Sequence, residues 1–252
     1  MSSPWRLYDD LIDGIPSHVQ TADCMTGIAW VMVRSDLGGA GISHVVPEAS
    51  RPFQYTGELC GVPLRGLAQC VKSWNLVEAS IGLAAINAWY NTEDRLNGLR
   101  VRWAEEPGQD IFPMLIDRVW GKRVAIVGRF PNIERRLRPV CFVTVLAPDP
   151  QEGEYPESAC EFLLPKQDFV FLSSRALIHK TLPRLLELAA QAEISLVGPS
   201  APLSPLLLAH GLHYLSGSCV VNPERIGQVI RRGGRPEIYA GLRKAELNFL
   251  MA

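Results

Sequence analysis

The sequence of 252 residues lacks several features, and each absence removes a class of function. No apolar run approaches the ~18 residues that a membrane-spanning helix needs. The start, Met-Ser-Ser-Pro-Trp-Arg-Leu-Tyr-Asp-Asp, has no basic stretch followed by an apolar core, so no secretory leader is expected. A net charge of −1 supplies no field to gather nucleic acid or an anionic membrane. The arginine pairs at 135–136 and 231–232 read as solvated surface. The six cysteines are scattered without a Cys-x-x-Cys, and His-Glu-x-x-His is missing. A preformed tight zinc site is therefore not expected. In a reducing, cytoplasmic compartment such thiols act as small apolar residues. Gly-x-Ser-x-Gly is missing too, which argues against a hydrolase built on that elbow.

What is present is the composition of a globular protein, 47% apolar and 20% charged. Gly121-Lys-Arg-Val-Ala-Ile-Val-Gly128 is a β-branched apolar run that stops at a glycine. It reads as a buried strand of a parallel sheet opening into a loop and helix. Strand-like runs recur at 140–146, 168–173, 193–197 and about 212–221. Helical patterns lie at 132–137, 157–164, 175–191, 202–210 and 223–232. Such alternation implies βαβ units and a parallel sheet. The rhythm before residue 105 differs. A helix is expected over Leu7–Ile15, and a hairpin of Met25–Arg34 and Gly41–Val46 turns at Ser35-Asp-Leu-Gly-Gly39. Helices are expected at Pro63–Ser73, Leu76–Asn91 and Asp110–Trp120. The chain therefore reads as α/β in two domains, residues 1–108 and 109–252.

In open parallel sheets ligands gather outside the carboxyl ends of the strands. The loops to inspect are Gly128–Asn132, Ala147–Asp149, Ser173–Arg175 and Gly198–Leu203. Ser173, Ser174 and Ser200 fit helix caps as readily as anion contacts. A Rossmann fingerprint needs Gly-x-Gly-x-x-Gly after the first strand. Only Gly128 is there, with Pro131 in mid-turn. Asp149 does stand after the second strand, where a ribose-binding acid belongs, so a nucleoside ligand such as S-adenosylmethionine stays open. On the 76–91 helix Ser80, Asn87 and Asn91 share a face. An asparagine in so apolar a helix must find partners. A structural bond to a neighbouring loop and a ligand contact are both open. His44, His210 and His213 are isolated. Arg175 and His179 stand at i and i+4 after the third strand, an anion-preferring wall expected to titrate between about pH 6 and 8.

Four stretches form a known pattern: Glu78-Ala-Ser-Ile-Gly-Leu-Ala-Ala-Ile-Asn-Ala88, Gly121–Pro131, Arg175-Ala-Leu-Ile-His-Lys-Thr-Leu182 and Gly198-Pro-Ser-Ala-Pro-Leu203. They resemble the bacterial and archaeal "putative heavy-metal chelation" family (domain of unknown function 364). The 25–46 hairpin resembles its N-terminal companion (domain of unknown function 4213). The resemblance implies a small enolase N-terminal-like α+β domain, a β-meander followed by helices, and then a Rossmann-like parallel-sheet domain. A cleft between the two would be the site. By position it implies site roles for Asn87, Gly128, Phe130, Pro131, Lys180, Thr181, Gly198, Pro199, Ser200, Pro202 and Gly217. The chain departs from the pattern at Ala147, Ser173–Arg175 and His179. Asp149, Ser174, Arg175 and His179 join the candidates from the loop reading. The expected ligand is a small molecule, a metal ion or a metal complex. The alternatives are an enzyme using a nucleoside cofactor and a noncatalytic assembly partner of a metal-handling system. Catalysis and a homodimer are left open.

Overall fold

The computed structural model describes residues 3–48, 50–105 and 116–248, and at 131 and 132 the backbone only. In chain order come α1 (Arg6–Asp13), β1 (Thr21–Thr26), β2 (Trp30–Ser35), β3 (Ala40–His44), α2 (Leu64–Ala68), α3 (Leu76–Tyr90), α4 (Glu93–Gly98) and β4 (Arg102–Trp103). Then follow α5 (Ile116–Val119), β5 (Arg123–Val127), α6 (Pro131–Leu137), β6 (Phe142–Ala147), β7 (Tyr155–Pro156), α7 (Cys160–Leu163), β8 (Phe169–Ser173) and α8 (Arg175–Ile178). The chain continues with α9 (Leu182–Leu188), β9 (Glu193–Val197), α10 (Pro205–Ala209), β10 (Tyr214–Val220), α11 (Pro223–Arg231) and β11 (Leu242–Asn248).

β1, β2 and β3 form an antiparallel meander. The other strands form one sheet, ordered β4-β11-β10-β9-β8-β5-β6-β7. From β7 to β10 it is parallel, and β11 and β4 close one edge antiparallel. The central runs Val124–Val127, Phe169–Leu172 and Ile194–Val197 are buried on both faces, as strands sandwiched by helices must be. β6 lies on one side of β5 and β8 on the other, so strand order reverses at β5. That makes the carboxyl ends of β5 and β8 the topological switch point.

Several boundaries differ from the sequence reading. The run at 25–34 is two strands, because Gly27 turns the chain and its N–H donates to Trp30 O at 2.9 Å. A Cβ at Gly27 would lie 2.7 Å from Ile230, so α11 holds that turn. The helix expected over 175–191 breaks at Lys180, whose φ of +62° no α-helix accepts, and α9 restarts with proline in its first turn. β11 is rich in helix-forming residues, yet seven paired positions along β10 make it a strand. β4 belongs to the large sheet. The expected boundary at 108/109 and residues 110–115 of the expected 110–120 helix lie outside the described residues.

One apolar core runs beneath both sheets. It joins Leu11, Val33, Leu67 and Leu83 to Val170, Leu172, Leu177 and Leu215. α3 lies within it, buried at every position from Glu78 to Ala88. Asn75 caps this helix, its Oδ1 accepting from Val77 and Glu78 N–H at 3.0 Å. Its small residues admit backbone on two sides. A Cβ at Gly82 would lie 2.0 Å from Val71 N, and one at Gly41 of β3 would lie 2.0 Å from Ala88 N. Gly82→Ala and Gly41→Ala should each destabilise the fold by roughly 3 kcal/mol or more, since main chain cannot yield as a side chain does. Gly66→Ala, at an exposed position of α2 with its nearest neighbour 3.9 Å away, should gain roughly 0.5–1 kcal/mol. Urea unfolding of the three variants checks this; equal midpoints would show that close approach is not the constraint.

Candidate functional site

Glycines bring the strand ends together at the switch point. Gly128 has φ +109°, and a Cβ there would lie 2.7 Å from Ser173 Cβ. Gly198 has φ +141°, with the Ser174 hydroxyl 2.4 Å from the Cβ position. Such a geometry is open to glycine and strained for other residues. The loop after β5 is no glycine cradle for a pyrophosphate. Arg129 clips it to the next loop, Nη2 donating to Asp149 O at 2.7 Å and to Glu154 Oε2 at 2.9 Å. The bond to Asp149 engages its backbone carbonyl and not its carboxylate.

At this edge lies a cavity of about 830 Å³. Its floor is the ends of β5, β8, β9 and β10, with Ser216, Gly217 and Ser218 on the last. His44 and Glu48 come from the meander side and complete the wall. Of the residues expected from the sequence, Gly128, Phe130, Asp149, Ser174, Arg175, His179, Thr181, Gly198, Pro199 and Gly217 line it. Asn87, Lys180, Ser200 and Pro202 are not among its lining residues, and the Pro131 side chain lies outside the described residues. Glu48, Glu157, Cys160, Tyr239 and Lys244 also line the cavity, and none was singled out by sequence reasoning. His44 was noted only as the end of a hairpin. Lys244 had no usable signal, because β11 does not read as a strand.

The residues outside the lining have other partners. Asn87 is buried, and its Nδ2 donates to Ile42 O and Ser200 O, both at 2.9 Å. Asn91 donates to Ala201 O at 2.9 Å and Ser218 O at 3.1 Å, and accepts from Leu203 N–H at 2.8 Å. These bonds fit the structural reading for Asn91, whereas the buried Oδ1 of Asn87 has no donor among the described residues. Ser200 is no helix cap: its Oγ accepts from His44 N–H at 2.9 Å, and Ser204 caps α10 instead. The Lys180 ammonium donates to Ser73 O and stands 5.5 Å from the Trp74 ring. Burial pushes its pKa down to about 8, with Glu78 opposing.

Arg175 dominates the electrostatics. Its Nη2 donates to Glu48 Oε1 at 2.7 Å. Its Nε is buried with no acceptor among the described residues. Burial and then Arg175 push His44 down to about 4, and its ring stacks on Trp30 at 3.9 Å. Burial and then Arg175 lower His179 as well. Both shifts favour the neutral imidazole, which leaves Arg175 as the fixed charge of this wall. Arg175 and His179 do stand one helical turn apart and both line the cavity, but on a short helix rather than the expected 175–191 helix. α8 ends at Ile178, and His179 caps it, donating its N–H to Arg175 O at 3.0 Å.

A bare metal ion fits this lining poorly. His44, Glu48, Asp149, Glu157, Cys160 and His179 carry donor atoms, yet no three such groups converge into a metal site among the described residues. Burial pushes the Cys160 thiol up to about 12, which withholds the thiolate a metal needs. Two histidines outside the cavity are engaged: His210 Nε2 meets Asp10 at 2.8 Å, and His213 Nδ1 accepts from Ile194 N–H at 3.1 Å.

The depressed His44 pKa has a consequence for stability. Between pH 6.5 and about 4 the unfolded chain takes up a proton that the folded protein refuses. The contribution of neutral His44 is present above pH 6.5 and is lost as pH falls toward 4. The loss should be on the order of 2 kcal/mol. His44→Phe, which keeps an aromatic ring against Trp30, should flatten that part of the stability profile. Denaturant titrations at pH 7, 5.5 and 4.5 read the difference, and parallel profiles for the two proteins would refute it.

Comparison with known proteins gives a consistent result. A family model described as "Putative heavy-metal chelation", domain of unknown function 364, matches residues 110–249. A second with the same description, domain of unknown function 4213, matches residues 8–90. A crystal structure of a protein of unknown function from Desulfitobacterium hafniense DCB-2, in the 364 family, is 40% identical with a TM-score of 0.88. The match covers 97% of this chain and 98% of that one. A Pyrococcus horikoshii member, 23% identical with a TM-score of 0.81 over 97% and 99% of the two chains, shares the fold. An uncharacterized protein of Methanocaldococcus jannaschii is 25% identical over 183 residues, 68% of this chain, and the match spans 66% of that relative's length. The two matched segments, the 40% identity over nearly the whole chain and the meander followed by a parallel sheet agree: this chain belongs to the domain of unknown function 364 family.

Proposed function

We propose that this protein binds a small molecule, or a metal ion carried inside a small-molecule complex, in the cavity between the meander and the switch point. The observation that carries the reading is the cavity itself, about 830 Å³, walled by residues from both halves of the chain. That size suits a small organic ligand, and its place suits the rule for open parallel sheets. Apolar Phe130, Ile133 and Leu185 offer a surface for a ligand body, and Ser173, Ser216 and Lys244 offer polar contacts. The family description speaks of heavy metals. The fixed charge of Arg175 disfavours a naked dication, and the scattered donors favour a metal already wrapped by other ligands. The six unpaired cysteines fit a reducing compartment such as the cytoplasm. No helix among the described residues is long and apolar enough to cross a membrane.

Native mass spectrometry with elemental analysis of freshly purified protein would identify a retained ligand. Thermal melts with metal salts, metal chelates and S-adenosylmethionine would then rank the classes. A true ligand at a hundred times its Kd should raise Tm by roughly 5–10 °C. Thr181→Trp, placed at the exposed rim, should abolish that rise without lowering the Tm of the free protein. A rise that survives Thr181→Trp would place binding elsewhere. Stabilisation by S-adenosylmethionine would favour the nucleoside enzyme, and stabilisation by nothing would favour an assembly role.

A further inference from the structure

Two arginines of this protein grip a carboxylate through the Nε–Nη2 fork. Arg123 grips Asp168 side-on, Nε to one oxygen at 3.0 Å and Nη2 to the other at 2.7 Å. Arg184 grips Glu161 the same way, at 2.9 and 2.6 Å. In both, the fork of parallel N–H groups is filled by two oxygens of one anion, the geometry a guanidinium offers and an ammonium cannot. Arg175 differs. Glu48 takes Nη2 through a single oxygen at 2.7 Å, and the Nε beside it is buried with no acceptor among the described residues. Arg175 lines the cavity, and its fork is half filled. A buried N–H without an acceptor is costly, and a guest supplying one recovers that cost.

Glu48 is weakly held in this position. Its side chain is 51% exposed and that of Arg175 is 40% exposed, so solvent screens the pair. Exposed ion pairs of this kind contribute little. Glu48 also comes from the stretch after β3, on the meander side of the cavity, whereas Arg175 opens α8 on the other. A two-oxygen anion entering the cavity would meet both Nε and Nη2 and displace Glu48 at small cost.

Building on the cavity reading above, we infer that Arg175 anchors an oxyanion group of the ligand, a carboxylate or phosphate, through its Nε–Nη2 fork, and that Glu48 is a built-in competitor occupying half of that fork. The competitor keeps the site closed to weak or monodentate anions and yields to one that fills the fork.

Isothermal titration with citrate and with pyrophosphate tests this and separates carboxylate from phosphate. The proteins are wild type, Glu48→Gln, Arg175→Lys and the double variant, all at one pH and ionic strength, with folding checked by thermal melts. At least one probe should bind wild type. Glu48→Gln should tighten its binding about tenfold by removing the competitor. Arg175→Lys, which keeps the charge and loses the fork, should weaken it at least about tenfold. In the Arg175→Lys background Glu48→Gln should add nothing. The inference is overturned if Glu48→Gln leaves affinity unchanged or weaker, if Arg175→Lys binds like wild type, or if neither probe binds any form at millimolar concentration. A chelate or neutral molecule that stabilises the protein in a Thr181-dependent way, with no response to Arg175→Lys, would sink this inference and leave the cavity reading standing. Absence of any cavity ligand would sink both.

Discussion

Helix α3 has no solvated face, and that constraint shapes the rest of the molecule. A helix buried on every side needs small residues where neighbours cross it and partners for each polar group it carries. Gly82 lets the chain near Val71 lie directly against it, and Gly41 lets β3 do the same from the opposite sheet. The two asparagines one turn apart, Asn87 and Asn91, donate to carbonyls of β3, β10 and the loop at 200–201. The apolar part of the helix drives burial without direction. The amides supply direction, because only one docking of the meander on the large sheet satisfies four carbonyls at once.

That docking builds the cavity. Asn87 bonds Ser200 through its carbonyl, and Ser200 in turn accepts the N–H of His44 through its hydroxyl. The end of β3 is thereby fixed over the carboxyl edge of the large sheet. His44 and Glu48 become walls of a site whose floor belongs to the other half of the chain. Asn87 and Ser200 stand outside the lining and still set its shape. Gly128 and Gly198 act in the same indirect way, letting Ser173 and Ser174 sit where side chains on those glycines would collide. The charge pattern follows from the same placement. Arg175 stands beside Glu48, and burial first and Arg175 second lower the pKa of both histidines, which favours a fixed cation over a titrating pair.

Much of the large sheet was legible in the residues. Val124–Val127 and Phe169–Leu172 are continuous apolar runs, Ile194–Val197 is broken only by Ser195, each stops at glycine or serine, and strands buried on both faces leave that trace. The first-strand loop was legible for the same reason, since Gly128 ends its run abruptly. The break at Lys180 was hidden, because a lysine in left-handed backbone carries no local mark. β11 was hidden for a different reason: Leu-Arg-Lys-Ala-Glu-Leu-Asn prefers helix, and pairing along β10 overrides that preference. The turn at Gly27 was masked by apolar neighbours, Ile28 among them, that make 25–34 look like one strand.

The candidate site divides along the same line. Local sequence determined which loops open at the carboxyl edge, because alternating strands and helices with right-handed crossovers leave few choices. It also determined that Asn87 and Asn91 share a face and must find partners. Only the tertiary structure decided who those partners are, that His44, Glu48 and Lys244 join the cavity, and that Asn87 and Lys180 do not. Those outcomes depend on how the meander docks and on where β11 returns. Both are set by contacts between residues far apart in the chain, which no local pattern encodes. The protonation of the histidines was decided there too, since burial and the distance to Arg175 exist only once the two halves have met.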